Sequence, residues 1–370
     1  MAAVENLDQY AARIERAKAE LAKQGLDYLF VGPGSDLFYL TGYDAHLSER
    51  LNLLIIGRDG LTAMVVPVLE APLYAGRESL APTHTWEETE SPAALVASIV
   101  GDATGKSIGV ANTLWSSFLL RLQKTVAGAN WDSGNEVMRT LRMRKDASEI
   151  EALAEVARLT DAAFIDFIET AQIAGLTESQ AAKKLGESME KQGLAWKGGI
   201  AASGPNSASP HHHTGDRVIQ RGDAVVFDWG STYKGYHSDI TRTVVIGEPS
   251  EEYRKVYDIV RRANQAALDA AKPGVACEDV DKAARDLITA EGYGEYFIHR
   301  VGHGLGLDVH EEPYMVGGNK LALEPGMVFS DEPGIYIPGK FGIRIEDIVY
   351  CTEDGSKRFN EATRDIVVMD

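Results

Sequence analysis

Cysteine is nearly absent from this chain: Cys277 and Cys351 are the only two. They make no metal-binding pattern and imply no disulfide framework. Basic residues are in deficit, 37 Lys and Arg against 55 Asp and Glu, for a formal charge of −18. With no basic block to offset that balance, nucleic acid is a poor partner. No apolar run approaches the ~20 residues needed to cross a bilayer, so no membrane partner is expected. The first residues, MAAVENLDQYAARIERAK, are charged and amphipathic rather than leader-like. A cytoplasmic protein is the expectation. Several catalytic signatures are missing too. HRVGH (299–303) has no Glu after His299, and its glycines oppose the helix that an HEXXH zinc site needs. There is no G-x-S-x-G elbow; Gly204 and Ser207 fall in the turn-rich GPNSASP. GHGLGLD lacks the Lys-Ser/Thr of a phosphate-binding loop.

What is present is an ordinary globular composition, 44% hydrophobic and 25% charged, over 370 residues. That length has room for two domains, and the pattern divides near residue 140. Residues 7–24 carry apolar side chains at helical spacing and stop at Gly25. Strand-like DYLFVG (27–32), LNLLIIG (51–57) and LTAMVVPV (61–68) follow, with helical SPAALVASIV (91–100) and SSFLLRLQKTVA (116–127). Residues 1–140 therefore read as a small α/β domain. Residues 141–370 open on a long amphipathic helix (143–171), with Asp146 or Ser148 as its N-cap. This second domain reads as two halves, each with helices followed by strands. The segment 216–247 reads as a strand pair turning at Tyr233-Lys234-Gly235-Tyr236.

Five acids and bases stand out in the second domain: Asp228, Asp239, His303, Glu332 and Glu346. Singly, each has a bland role. Asp228 before a glycine suits a turn, Asp239 a cap, His303 a loop, Glu332 the surface, and Glu346 an ion pair with Arg344. Together they do not, because all sit in apolar strand-like runs such as AVVFDWG, GMVFSDEPGIYI and GIRIEDIVY. Carboxylates buried without a partner are costly, and like charges brought close repel. Divalent cations relieve both problems. Four carboxylates and one imidazole carry too much charge for one ion and suit two. An oxygen-rich shell favours Mn²⁺ or a similar hard ion.

The order Asp, Asp, His, Glu, Glu, with separations of 11, 64, 29 and 14 residues, resembles the pita-bread metallopeptidases. Within them it is similar to the proline-specific branch, Xaa-Pro dipeptidase (prolidase) and aminopeptidase P. The resemblance implies an α/β (α+β) protein: a small N-terminal creatinase/prolidase-like domain (1–140) and a C-terminal catalytic pita-bread domain (141–370). It implies two divalent ions, Mn²⁺ before Co²⁺, Zn²⁺ or Fe²⁺. Asp228 would chelate one, His303 and Glu332 the other, and Asp239 and Glu346 would bridge them. Glu332 would also move a proton from the attacking water towards the leaving amine. Every ligand position is retained, which argues against a non-catalytic binding protein on the same fold.

The same resemblance gives roles to residues beside the ligands. His211 opens the HHH run 17 residues before Asp228, His310 lies seven after His303, and His299 four before it. His211 and His310 would act as catalytic donors and His299 would contact substrate. Which of His211, His212 and His213 faces the site stays open, as does a metal-binding histidine tract. Arg344 would neutralise the acids, orient Glu346 or hold the proline pocket. Small proline-containing peptides are the expected substrates, since an Xaa-Pro bond lacks the N–H that general peptidases grip. Dipeptides are favoured, with aminopeptidase P as the alternative. A homodimer is expected, in which GYDAHLSER (42–50), with Asp44, His46, Glu49 and Arg50, lines the cleft of the partner; His46 would then contact substrate.

Overall fold

The computed structural model describes residues 7–370. They divide between Arg142 and Met143 into two compact units.

The N-terminal unit is built on one mixed sheet. Its strands are β1 (Tyr28–Val31), β2 (Leu53–Gly57), β3 (Thr62–Pro67), β4 (Thr83–Trp86), β5 (Ser107–Val110) and β6 (Asn130–Ser133). Their spatial order is β4-β3-β2-β1-β5-β6. β1, β2 and β3 pair antiparallel, while β4, β5 and β6 join in parallel. The helices are α1 (Leu7–Gln24), α2 (Ser35–Thr41), α3 (Ala71–Tyr74), α4 (Pro92–Val100), α5 (Ser116–Thr125) and α6 (Asn135–Met143). Phe30, Ile55 and Val65 on the sheet pack with Val96 of α4 and Leu122 of α5 in a buried cluster. α4 starts where the sequence signals it: Ser91 accepts from Ala94 N, and Pro92 occupies the first helical position.

The C-terminal unit opens on α7 (Ala147–Thr170), capped by Asp146 in a capping box with Glu149. α8 (Glu178–Lys191) follows. Next come β7 (Gly199–Ser203), β8 (Ala224–Trp229), the two-residue strands β9 (Thr232–Tyr233) and β10 (Tyr236–His237), and β11 (Ile240–Ile246). α9 (Glu251–Ala270) and α10 (Cys277–Ala290) form a second helix pair. After them run β12 (Gly302–Gly304), β13 (Glu311–Met315), β14 (Val328–Asp331), β15 (Gly334–Ile337), β16 (Phe341–Arg344), β17 (Asp347–Cys351), β18 (Ser356–Arg358) and β19 (Val367–Met369). β9 with β10 and β15 with β16 form two-stranded pairs, and the two larger sheets have the orders β19-β11-β8-β7 and β13-β12-β14-β17-β18.

Each larger sheet has its own helix pair. Phe164 and Phe167 of α7 and Leu185 of α8 pack on Phe227, Trp229 and Val244. Val256 and Val260 of α9 and Val280 of α10 pack with Phe329 and Val349. Strand alternation then places Asp228 on the face opposite Phe227 and Trp229, away from the helices. β8 pairs with β11, Asp228 opposite Thr241. The predicted turn is real: Lys234 and Gly235 both take positive φ, 50° and 85°, as a two-residue hairpin requires. An isolated bridge between Thr241 and Glu346 ties β11 to the segment between β16 and β17.

Candidate metal centre

Asp228 is the penultimate residue of β8, Asp239 precedes β11, His303 is central in β12, Glu332 follows β14 and Glu346 lies between β16 and β17. The His303 strand is squeezed between neighbours. A Cβ on Gly302 would lie 1.8 Å from Ser330 O, and one on Gly304 2.4 Å from Glu312 O. Glycine is obligatory on both sides of this histidine for that reason.

The five residues converge. Ligand atoms lie within 4.8 Å of one another in three overlapping groups: Asp228, Asp239 and Glu346; His303, Glu332 and Glu346; and Asp239, His303 and His310. Asp239, His303 and Glu346 are buried, while Asp228 and Glu332 are partly accessible. Burial and the neighbouring Asp228 and Glu332 push the carboxyl of Asp239 up, and burial with Asp239 and Glu332 does the same to Glu346. Glu332, largely desolvated though partly accessible and with Asp228 nearby, is raised to about 7. His303 moves the other way, to about 3, chiefly through burial and then the nearby His310. Its Nδ1 is bonded to Gly304 O at 3.0 Å. Nε2 faces the acids, 3.4 Å from Glu332 and 3.7 Å from Asp239. A neutral imidazole with a bare Nε2, oriented by a carbonyl on Nδ1, is what a cation takes as ligand. Carboxyls crowded enough to retain protons are what a cation would relieve. The donor set therefore fits divalent metal.

The five line a cavity of about 610 Å³ together with His211, His299, His310 and Arg344. His211 is thus the member of the histidine run at the cavity; His212 instead bonds Glu178 at 2.9 Å, and His213 is exposed. His310 stacks edge-on against His303, with ring centroids 4.0 Å apart. Burial lowers its pKa, helped by Arg300. His299 has both ring nitrogens engaged, Nδ1 with Arg300 O at 2.7 Å and Nε2 with the Tyr336 hydroxyl at 2.9 Å. Burial depresses it to about 4.

Arg344 departs from the simplest reading of GIRIEDIV as one strand. β16 ends at Arg344 and β17 starts at Asp347, so Arg344 and Glu346 do not share a regular strand. Its guanidinium binds Asp228 Oδ2 at 2.6 Å, Tyr336 at 2.9 Å and Thr241 Oγ1 at 3.0 Å. Glu346 instead accepts from Thr241 Oγ1 at 2.6 Å. Sequence reasoning passed over Thr241 and Tyr336. Thr241 was within reach, since it alternates in phase with Asp239; nothing in GIYI marks Tyr336. His46 belongs to the N-terminal unit, exposed in the segment after α2. Beside it, Arg50 is tied to Glu49 and Glu88 of the same unit, both at 2.6 Å.

The profile of metallopeptidase family M24 matches residues 151–353, and that of the creatinase/prolidase N-terminal domain matches residues 13–144. The chain is 42% identical over 369 residues to the "Probable dipeptidase PepE" of Mycobacterium tuberculosis, covering 97% of this chain and 96% of that one. It is 35% identical to the Xaa-Pro dipeptidase of Lactobacillus helveticus, covering 96% and 98%. The crystal structure of dipeptidase PepE from Mycobacterium ulcerans superposes with a TM-score of 0.93 at 40% identity, covering 98% of both chains. The family match spans more than half of the sequence and contains every acid and base of the convergent cluster, and so the chain belongs to metallopeptidase family M24, its catalytic domain preceded by a creatinase/prolidase N-terminal domain.

Proposed function

We propose that the protein is an Xaa-Pro dipeptidase working with two divalent cations, Mn²⁺ by the hardness of its donors. The observation that carries the two-ion reading is the sharing of ligands: Glu346 belongs both to the group of Asp228 and Asp239 and to the group of His303 and Glu332. Asp228 would hold one ion, His303 and Glu332 the other, with Asp239 and Glu346 between them. When bound, such ions lower the pKa of a water and polarise a carbonyl oxygen.

The side chains supply the rest. Glu332, with a carboxyl titrating near neutrality in the metal-free site, is suited to take a proton from the attacking water and deliver it to the leaving proline nitrogen. His211 and His310, at the cavity wall, are placed to donate to the carbonyl oxygen as it gains charge. Arg344 holds Asp228 and Tyr336, and through Tyr336 it fixes His299 beside the substrate.

The preference for dipeptides rests on the similarity to dipeptidases of Mycobacterium tuberculosis and Lactobacillus helveticus, at 42% and 35% identity. We further propose a homodimer in which residues 42–50, with His46, limit the partner's cleft. Exposed Leu47 beside His46, and exposed Leu69 and Leu73 of the same unit, are apolar surface suited to such a contact. Two free, buried cysteines suit a reducing cytoplasm, and no described helix is long and apolar enough to cross a membrane.

The test is hydrolysis of Ala-Pro and Ala-Pro-Ala by the Mn²⁺-loaded protein, before and after exhaustive chelation. Cleavage of Ala-Pro alone, lost on chelation and restored by Mn²⁺, is expected. Equal use of the tripeptide identifies an aminopeptidase P, and undiminished activity without metal overturns the reading. A monomer at assay concentration overturns the dimer.

A further inference from the structure

Glu178 is fully buried and yet belongs to no part of the metal centre. It is the first residue of α8, where the helix dipole favours negative charge. Five donors converge on its carboxylate. Oε1 accepts from Ser203 N at 2.7 Å, Ser203 Oγ at 2.8 Å and Asn206 Nδ2 at 3.0 Å. Oε2 binds His212 Nε2 at 2.9 Å and accepts from Gly215 N at 3.2 Å. Burial alone would raise this carboxyl; the hydrogen bonds outweigh it and hold it below its usual value.

Two of the donors come from Ser203 at the end of β7 and three from the loop that follows it, residues 204–215, which carries His211. Its far side rests on β16, whose Arg344 lines the cavity: Ser207 Oγ accepts from Gly342 N at 2.8 Å, and Pro210 O from Arg344 at 3.4 Å. Gly342 is needed there, since a Cβ would lie 2.0 Å from Ser207 O. His211 and His212 are consecutive, and one lines the cavity while the other is bound to Glu178.

We infer that Glu178 is a positioning residue for His211: its buried carboxylate gathers the loop into the arrangement that turns His211 to the cavity. The inference rests on the role proposed above for His211. A loop of turns and 3₁₀ helix has few backbone bonds of its own, so a charged acceptor with several donors fixes it where neutral contacts would leave it mobile. Misplacement by ~1 Å far from the chemistry costs up to about a hundredfold in rate.

The experiment is a double-mutant cycle in the Mn²⁺-loaded enzyme with Ala-Pro. Glu178→Ala is expected to lower kcat by roughly ten- to a hundredfold, with KM and metal content near the parent's. In a His211→Ala background the same change is expected to cost nothing further, because the anchor acts only through that ring. His212→Ala, which leaves four donors, covers a Glu178 variant that fails to fold; it should lose rate, and His212→Gln, which restores an N–H towards Glu178, should recover it. Amide exchange in residues 204–216 should quicken in Glu178→Ala and His212→Ala. Losses that multiply in the double variant, or unchanged exchange in the loop, would overturn the anchor while leaving the peptidase reading intact. A His211→Ala enzyme with full kcat would refute the role of His211 and this inference with it.

Discussion

Arg344 and Asp228, 116 residues apart in sequence, are joined by a 2.6 Å charge-assisted hydrogen bond. The guanidinium is 3% exposed and the carboxylate 25%, so the pair is sheltered enough to matter but not sealed. The bond occupies Oδ2 of Asp228, and a carboxylate oxygen of Asp228 lies within 4.8 Å of ligand atoms of Asp239 and Glu346. It also brings a permanent positive charge to a cluster of four acids, where it opposes the upward pressure on Asp239, Glu332 and Glu346.

Removing that charge should therefore be felt most when no cation is present. Arg344→Ala is expected to destabilise the metal-free protein by about 3–5 kcal/mol, the scale for breaking a buried pair, and the metal-loaded protein by clearly less. Arg344→Lys should recover little, because one ammonium cannot serve Asp228, Tyr336 and Thr241 together. Thermal melts with and without Mn²⁺ read both. Equal destabilisation in the two states would mean that the arginine is scaffold alone.

The raised carboxyls set the response to pH. In metal-free protein Glu332 titrates near 7 instead of its ordinary 4.5, and Asp239 and Glu346 are raised with it. Between about pH 5 and pH 7 the folded chain then holds protons that the unfolded chain has released, so metal-free stability falls as pH rises through this window. Cations have to displace the same protons, so their binding should tighten over the same window, by about tenfold per pH unit for each proton displaced. Calorimetric titration with Mn²⁺ at pH 6, 7 and 8 measures the slope. Affinity independent of pH would show that the acids are already ionised without metal.

Much of this centre was legible in the sequence. An acid in an apolar strand is a chemical anomaly that needs no coordinates, and four of them with one histidine at family spacing identify each other. The N-cap, read as Asp146 or Ser148 and found at Asp146, and the hairpin at Lys234-Gly235 were readable because local backbone chemistry decides them. What was hidden is long-range or aperiodic. Arg344 and Glu346 look like neighbours on one strand face, yet the strand breaks between them and each finds its partner across the sheets, in Asp228 and Thr241. The family spacing favoured His211 but left open which of the three consecutive histidines faces the site, since the contact that ties the middle one to Glu178 of α8 is long-range. β6, NWDS, is mostly exposed and polar, with no alternation to betray a strand.

Thr241 offers a narrower test of the same network. Its hydroxyl donates to Glu346 and accepts from Arg344 Nε, and it is fully buried. Thr241→Val keeps the shape and removes both bonds, at a cost of about 1–3 kcal/mol. Because Glu346 loses its orienting donor, Mn²⁺ affinity should weaken by roughly 10–100-fold. Thr241→Ser should remain close to the parent in both measures. Valine binding metal as tightly as threonine would show that Glu346 is held by the backbone bridge alone.

His310 decides between two kinds of role, since the structure brings it to both. One of its ring nitrogens lies within 4.8 Å of ligand atoms of Asp239 and His303, which is near enough to join a cation shell. It is also exposed at the cavity wall, where substrate would pass, while the five residues of the spacing pattern already provide four carboxylates and an imidazole. A sixth ligand is not needed to neutralise the two divalent ions proposed, and partial desolvation of the ring, with Arg300 and His211 nearby, lowers its pKa and favours a neutral ring with an N–H to give. His310→Ala is accordingly expected to reduce kcat for Ala-Pro by about a hundredfold or more, the scale of a lost donor to developing charge. Metal content, measured by plasma emission after gel filtration, should stay near the parent's. His310→Gln, which retains an N–H donor but cannot change protonation state, should recover part of the loss if hydrogen bonding to the carbonyl oxygen is what the ring contributes. Loss of metal in step with loss of activity would place His310 among the ligands instead.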